Sequence, residues 1–332
     1  MTSVSDIVSS RPTAGASRRG ALLQRQGVVV ALILLILFGA WRYDDFLGLY
    51  NIMSVLRYNA MFALVALGMG FVIMTGGIDL SVGATAALAS VVSADLSDVG
   101  LGAGLAAGVA AGLAVGLVNG LAISRARLPP FVTTLATMLA ARGLALLISG
   151  NQSVSVSWDT SFTDLGGGDF LGFPIPAWIA GVAFVLGALL LNLTGFGRAV
   201  LAIGGNEEAA RLMGLPVVRV KLLVYVLTGA LAGLAGVILA AQFGAGQPTE
   251  GQGWELFAIA AVVVGGTLLT GGMGSVGFTL AGAMLLGLIF NILNFENGKG
   301  DFTLSAYWQS VIRGAFLLLV VLLQNRLARR PS

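Results

Sequence analysis

The sequence predicts an all-α, polytopic membrane protein of about ten transmembrane helices, and three observations predict it. Of 332 residues, 57% are hydrophobic and 10% charged, a balance that cannot be wrapped into a water-soluble surface. Charge-free apolar intervals recur at close to the roughly 20 residues that one helical crossing requires. The 48 glycines would each weaken a soluble helix, but they suit helices that pack closely in lipid. Neither Cys nor His occurs. Their absence removes disulfides, thiolate and imidazole metal sites, haem ligation, Ser-His and Cys-His nucleophile pairs and any histidine switch. Most hydrolytic and redox chemistry is thereby excluded, and no metal site is expected.

Residues 1–21 are rich in Ser, Arg and Gly and read as a disordered basic tail. The transmembrane domain follows over 22–325, with spans at 22–41, 58–76, 82–94, 99–123, 131–149, 177–194, 222–243, 256–270, 276–294 and 307–323, and then a short tail, 326–332. The third and eighth spans are short. The interval between Glu255 and Glu296 carries no charge but is broken by Thr270-Gly271-Gly272-Met273-Gly274, so it reads as two spans with a tight turn. A basic start before an apolar run can mimic a signal peptide. No small-residue cleavage pattern follows Trp41-Arg42, so the first span is read as retained.

Lys and Arg collect in cytoplasmic loops. With both termini inside, thirteen of the 18 fall on the cytoplasmic side, including Arg125, Arg127, Arg198, Arg211, Arg219 and Lys221. Only Arg42, Arg57 and Lys299 face outward, while Arg142 and Arg313 lie within spans. An internal echo sets residues 63–77 over 258–272: Thr-Gly-Gly coincides in both, and Ser81-Val82-Gly83 is answered by Ser275-Val276-Gly277 after a one-residue shift. Helix breaks at matching places are typical of transporters, where irregular backbone lines the substrate path rather than lipid.

The inward loop 198–221 carries helix punctuation. Asn206 can cap a first turn, Glu207 and Glu208 sit where the helix dipole favours anions, and Gly214 before Pro216 ends the helix. Ala209, Leu212 and Met213 recur at spacings of three and four, an apolar stripe that water does not stabilise. The stripe requires either a docking partner or the lipid surface.

The run GGNEEAARLMGLPVVRVK (204–221) and the glycine-spaced span that follows resemble the cytoplasmic loop of permease subunits of sugar-type ATP-binding-cassette importers, which include the ribose, xylose, arabinose and galactofuranose systems. GGIDLSVG (76–83) is a second hallmark, and the resemblance runs from about residue 45 to 325. Asn294-Phe295 and Leu304-Ser305-Ala306-Tyr307-Trp308 are similar to the galactofuranose-type branch. The resemblance implies a pore-forming half-transporter of the bacterial inner membrane. In it, Gly204, Gly205, Asn206, Glu207, Glu208, Ala209, Arg211, Leu212, Met213 and Gly214 fit a groove of a cytoplasmic ATPase. It further implies a second permease, identical or paralogous, and a periplasmic sugar-binding protein. ATP and magnesium would be held by the ATPase, with no cofactor in this chain. Independently of the family, no G-x-x-x-x-G-K-[ST] occurs, and Gly298-Lys299 lacks the flanking residues. Membrane lipid surrounds the chain, and no nucleic-acid partner is expected.

Asp79 is a carboxylate at a break between spans. It or Ser81 can cap the third span, or Asp79 can line the path. Asn119, Thr133, Thr134, Thr137 and Asn291 are embedded in spans and can offer hydrogen bonds to a sugar, or simply join helices. Arg142 can snorkel toward Asn151-Gln152, and Arg313 can share the amide of Gln309; each is either an anchor or part of the path. The outward loop 150–176 holds Asp159, Asp164, Asp169, Trp158, Phe162, Phe170 and Phe173 and no Lys or Arg. Its length marks it as the docking surface for a soluble binding protein. The competing reading is an ion-coupled secondary transporter, which the lack of His and of carboxylates within spans, apart from Asp79, disfavours. An intramembrane enzyme would lack His, Cys and a carboxylate pair.

Overall fold

A computed structural model describes residues 14–298 and the positions 308, 311, 314 and 315. In chain order the helices are α1 (Ala14–Arg42), α2 (Leu49–Met74), α3 (Val82–Asp95), α4 (Leu101–Ser124), α5 (Pro130–Ile148), α6 (Asp164–Gly167), α7 (Ile175–Leu193), α8 (Gly195–Gly205), α9 (Glu207–Leu212), α10 (Val217–Phe243), α11 (Trp254–Val264) and α12 (Val276–Gly298). Six of them, α2, α4, α5, α7, α10 and α12, are long and apolar enough to cross a membrane. The described chain is therefore an all-α polytopic membrane protein. The helix that contains the first expected span begins at Ala14, so residues 14–21 are helical rather than part of a disordered tail. Arg313, residues 304–307, the tail 326–332 and, apart from positions 308, 311, 314 and 315, the tenth expected span lie outside the described residues.

The two short spans are short in the structure too. At ~1.5 Å per residue, α3 and α11 cover roughly 21 and 17 Å of a hydrocarbon layer about 30 Å thick. Non-helical backbone must cover the rest, and lipid does not tolerate it. Segments 75–81 and 265–275 accordingly place Thr75, Asp79, Ser81 and Thr267 inside the bundle, while Gly76, Leu269 and Thr270 stay exposed.

The post around which this is built is α2. From Asn59 to Met74 every residue but Phe62 is buried, as expected of a helix apolar on all sides, and α7, α10, α11 and α12 pack around it. Elsewhere the closest approach is between α4 and α10. Gly104, Gly108, Gly112, Gly116 and Gly120 repeat every fourth residue on the buried face of α4, and a Cβ on Gly112 or Gly116 would strike the backbone of Gly229. Small residues at helical spacing let the two backbones touch.

The segment after α5 folds into two short antiparallel pairs. Strand β1 (Val154–Ser155) pairs with β4 (Ala245–Gly246), and β2 (Asp169–Phe170) pairs with β3 (Phe173–Pro174). Phe162, expected on a docking loop, is fully buried against Ala94, Val237 and Ala241, while Trp158, Phe170 and Phe173 stay exposed. Arg57 holds the segment to α2, donating to the Gly167 carbonyl and to Asp169, each at 2.6 Å.

Candidate functional site

At one end of the bundle the chain turns from α8 into α9. The Asn206 Oδ1 accepts the Ala209 N–H at 2.9 Å, the expected N-cap. At the other end of α9, Gly214 adopts φ +81° and the Leu215 N–H reaches back to the Ala210 carbonyl at 3.0 Å, which closes the helix in the way a C-terminal glycine permits. Ala210 is buried, whereas Leu212 and Met213 are 84% and 70% exposed. Glu207 is held by Arg211 at 2.9 Å and by the Lys221 ammonium. Burial alone would raise its carboxyl, but these two cations outweigh burial and keep it below its ordinary value. Glu208 is exposed. Of the two acids, then, one is engaged within the chain and the other is open to water.

Just before α9, Gly204 and Gly205 sit against both helix breaks. The Gly272 N–H donates to the Met74 carbonyl at 3.0 Å, so the two Thr-Gly-Gly segments matched in the sequence meet in space. A Cβ on Gly204 would strike the Met74 carbonyl and the Gly272 nitrogen, and one on Gly271 would crowd the Gly76 backbone. Gly76, Gly271 and Gly272 also have φ of +80°, +84° and +78°, a region that side chains rarely adopt. Three stretches distant in sequence thus share one backbone-on-backbone joint. The sequence marks each glycine pair, but it does not reveal that the pairs touch.

The expected path residues separate into two places. Asp79 Oδ1 accepts the Ser81 N–H at 2.8 Å and its Oγ–H at 2.6 Å. Asn119 Nδ2 donates to Ser81 Oγ at 2.9 Å, and Thr137 Oγ1 donates to Asn119 Oδ1 at 2.7 Å. Asp79, Ser81 and Asn119 are at most 2% exposed. This network ties the start of α3 to α4 and α5; Ser81 occupies the N-cap position of α3, but its side chain makes no capping bond there and donates to Asp79 instead. Thr133 and Thr134 donate to the carbonyls of Pro129 and Pro130. Asn291 lies elsewhere, in a reciprocal amide pair with Asn51 at 3.2 and 2.7 Å.

Arg142 does not turn to Asn151-Gln152. Its Nη1 donates to the carbonyls of Pro248 and Glu250, at 2.5 and 2.6 Å. The segment it grips descends beside α3, where Gly251 (φ +78°) faces Gly83 so closely that a Cβ on either would strike the other's backbone. Guanidinium-to-carbonyl bonds are stronger than lipid-facing snorkelling because both groups escape hydrocarbon. Two further groups escaped sequence reasoning. Tyr225 is 1% exposed, packs beside Gly77, and its hydroxyl has no hydrogen-bond partner among the described residues. Glu255 opens the first turn of α11, next to Gly83.

The comparisons with known proteins agree on one class. Residues 51–321 match the family model described as Branched-chain amino acid transport system / permease component. The Ribose import permease protein RbsC of Bacillus subtilis (strain 168) is 43% identical over 308 residues, covering 92% of this chain and 94% of that protein. Its namesake in Escherichia coli (strain K12) is 39% identical, with 92% and 95% covered. The L-arabinose transport system permease protein AraH of the same strain is 39% identical over 97% and 96%. No solved structure matches the chain. With most of its length matched by the model and by these relatives, the chain belongs to this family of transport-system permease components.

Proposed function

We propose that the chain is the membrane-spanning permease of an ATP-driven importer that carries a monosaccharide into a bacterium across its inner membrane. Its relatives are named for ribose and arabinose import, and the chain's own architecture, broken helices enclosed by long ones, suits alternating access. One observation carries the reading: a capped, closed helix leaves two large apolar side chains, Leu212 and Met213, exposed. Such a stripe calls for a protein groove. In this reading residues 204–214 dock a cytoplasmic ATPase, which holds ATP and magnesium. Both termini lie in the cytoplasm, ten spans form an internally repeated bundle, and a second permease, identical or paralogous, completes the pore. The exposed aromatics and acids of 150–176 face the periplasm and receive the sugar-binding protein.

The test is reconstitution in vesicles. The chain alone should neither hydrolyse ATP nor concentrate ribose or arabinose under imposed proton or sodium gradients, whereas adding its ATPase and binding protein should give ATP-dependent uptake. Gradient-driven uptake by the chain alone would assign it to the secondary transporters instead.

A further inference from the structure

In the half of the bundle remote from α9, the first turns of α2, residues 250–260 and the far part of α12 enclose a cavity of about 760 Å³, within the usual size of small-molecule sites. Its wall combines two chemistries. Tyr58, Phe62 and Trp254 supply aromatic surface, with the Phe62 and Trp254 ring centroids 4.8 Å apart. Asn59, Glu250 and Gln252 supply acceptors and donors on the same wall. The Asn59 amide leans on Gly287 of α12, where a Cβ would collide with it, so this glycine keeps the amide at the wall.

The side chains of Glu250 and Gln252 are exposed and make no hydrogen bond or ion pair among the described residues. Their backbone is fixed, because Arg142 grips the Pro248 and Glu250 carbonyls. An exposed carboxylate, near enough to Arg142 to act on its charge, and an amide on the same held backbone offer hydrogen bonds to a polar occupant. Beside them, aromatic faces call for an apolar surface. A pyranose or furanose ring offers both in one small molecule: hydroxyls around its edge and C–H groups on its face.

We propose that this cavity binds one monosaccharide, with Glu250, Gln252 and Asn59 on its hydroxyls and the Trp254–Phe62–Tyr58 surface against its C–H face. The site rests on the importer reading and adds to it a resting place for the sugar within the permease itself. The experiment uses the full chain in lipid nanodiscs and labelled D-ribose and L-arabinose as probes. Saturable binding of one of them, one molecule per chain, is expected. Glu250→Gln with Gln252→Ala should weaken it about 10-fold or more, the worth of one or two hydrogen bonds. Both side chains are exposed and neither makes a hydrogen bond among the described residues, so the double variant should retain the wild-type thermal unfolding midpoint, measured alongside. Absence of saturable binding, or binding that the double variant leaves unchanged, overturns the site. Uptake by the complete wild-type complex is read separately. If ATP drives neither sugar across the membrane, the importer reading fails, whatever the nanodiscs bind.

Discussion

At one end of the bundle α9 leaves Leu212 and Met213 largely exposed, whereas the break after α2 holds Asp79 and Ser81 at 1% and 2% exposure. Each region reverses the usual burial pattern, but the accounts differ. Most of the buried polar groups of the break bond one to the next, from Asp79 through Ser81 and Asn119 to Thr137, although the Tyr225 hydroxyl beside Gly77 finds no partner among the described residues. Nothing among the described residues covers Leu212 and Met213. A reversal that closes internally is structural, and one that stays open points to a partner. The comparison therefore sorts the candidate residues by whether their chemistry is already complete.

The largest effect should come from the open region. Leu212→Asp removes about 1.5–3 kcal/mol of apolar burial from the docked state and places a carboxylate where it has no partner. ATPase association, measured by co-purification and titration in detergent, should weaken by about 100-fold, with membrane insertion intact. Full association and uptake in this variant would mean that 204–214 is not the coupling element. Next comes the closed region. Asn119→Ala strips Ser81 Oγ of a donor and Thr137 of its acceptor, so the chain should lose about 1–3 kcal/mol of stability, read as a lower unfolding midpoint, while ATPase association stays at the wild-type level. If association falls as well, the two regions are not separable in this way.

Smaller again is Asn206→Ala, which removes the cap of α9 at a cost of about 1 kcal/mol. Because the cap orders the helix that carries Leu212, association should drop a few-fold and insertion should be untouched. The smallest is Glu207→Gln. Its two ion pairs are partly exposed, and such pairs are worth roughly 0.2–1 kcal/mol each. Since the Glu207 carboxyl lies below its ordinary value, the pairs contribute fully above about pH 4.3, the ordinary glutamate pKa, and are lost as pH falls through the lower folded value. Near neutral pH the wild type should show no pH dependence from this group, and the hydrogen-exchange protection of α9, taken relative to the intrinsic amide rate at each pH, should fall only in acid. Loss of that protection between pH 6 and 8 would place another titrating group in the loop.

Sequence disclosed what is encoded locally. The cap at Asn206, the stop at Gly214 and the short third and eighth spans, α3 and α11, were all legible, because capping and length depend on adjacent residues. Long-range partners were not. Arg142 was expected to seek the nearest loop and instead bonds carbonyls more than a hundred positions away, a choice set by the descent of residues 245–251 beside α3. Phe162 looked like a member of a docking surface, but the packing of α3 and α10 offered it a core. The Thr-Gly-Gly echo hinted at symmetry without showing that its two copies touch. The aromatic and amide residues of the cavity come from three separate stretches, and no spacing rule assembles them.

The joint formed by Gly76, Gly204, Gly271 and Gly272 also constrains how this protein can vary over generations. Gly204, Gly271 and Gly272 are kept free of a side chain by backbone that belongs to another stretch, and Gly76 by its own φ of +80°, so no stretch can drift alone. A larger residue at Gly204 would be admitted only if the turns after α2 and after α11 both withdrew. Withdrawing them would break the bond between Met74 and Gly272. Three separated parts of the gene are thereby bound into one unit of inheritance, and an alignment of relatives should show these glycines lost together or not at all.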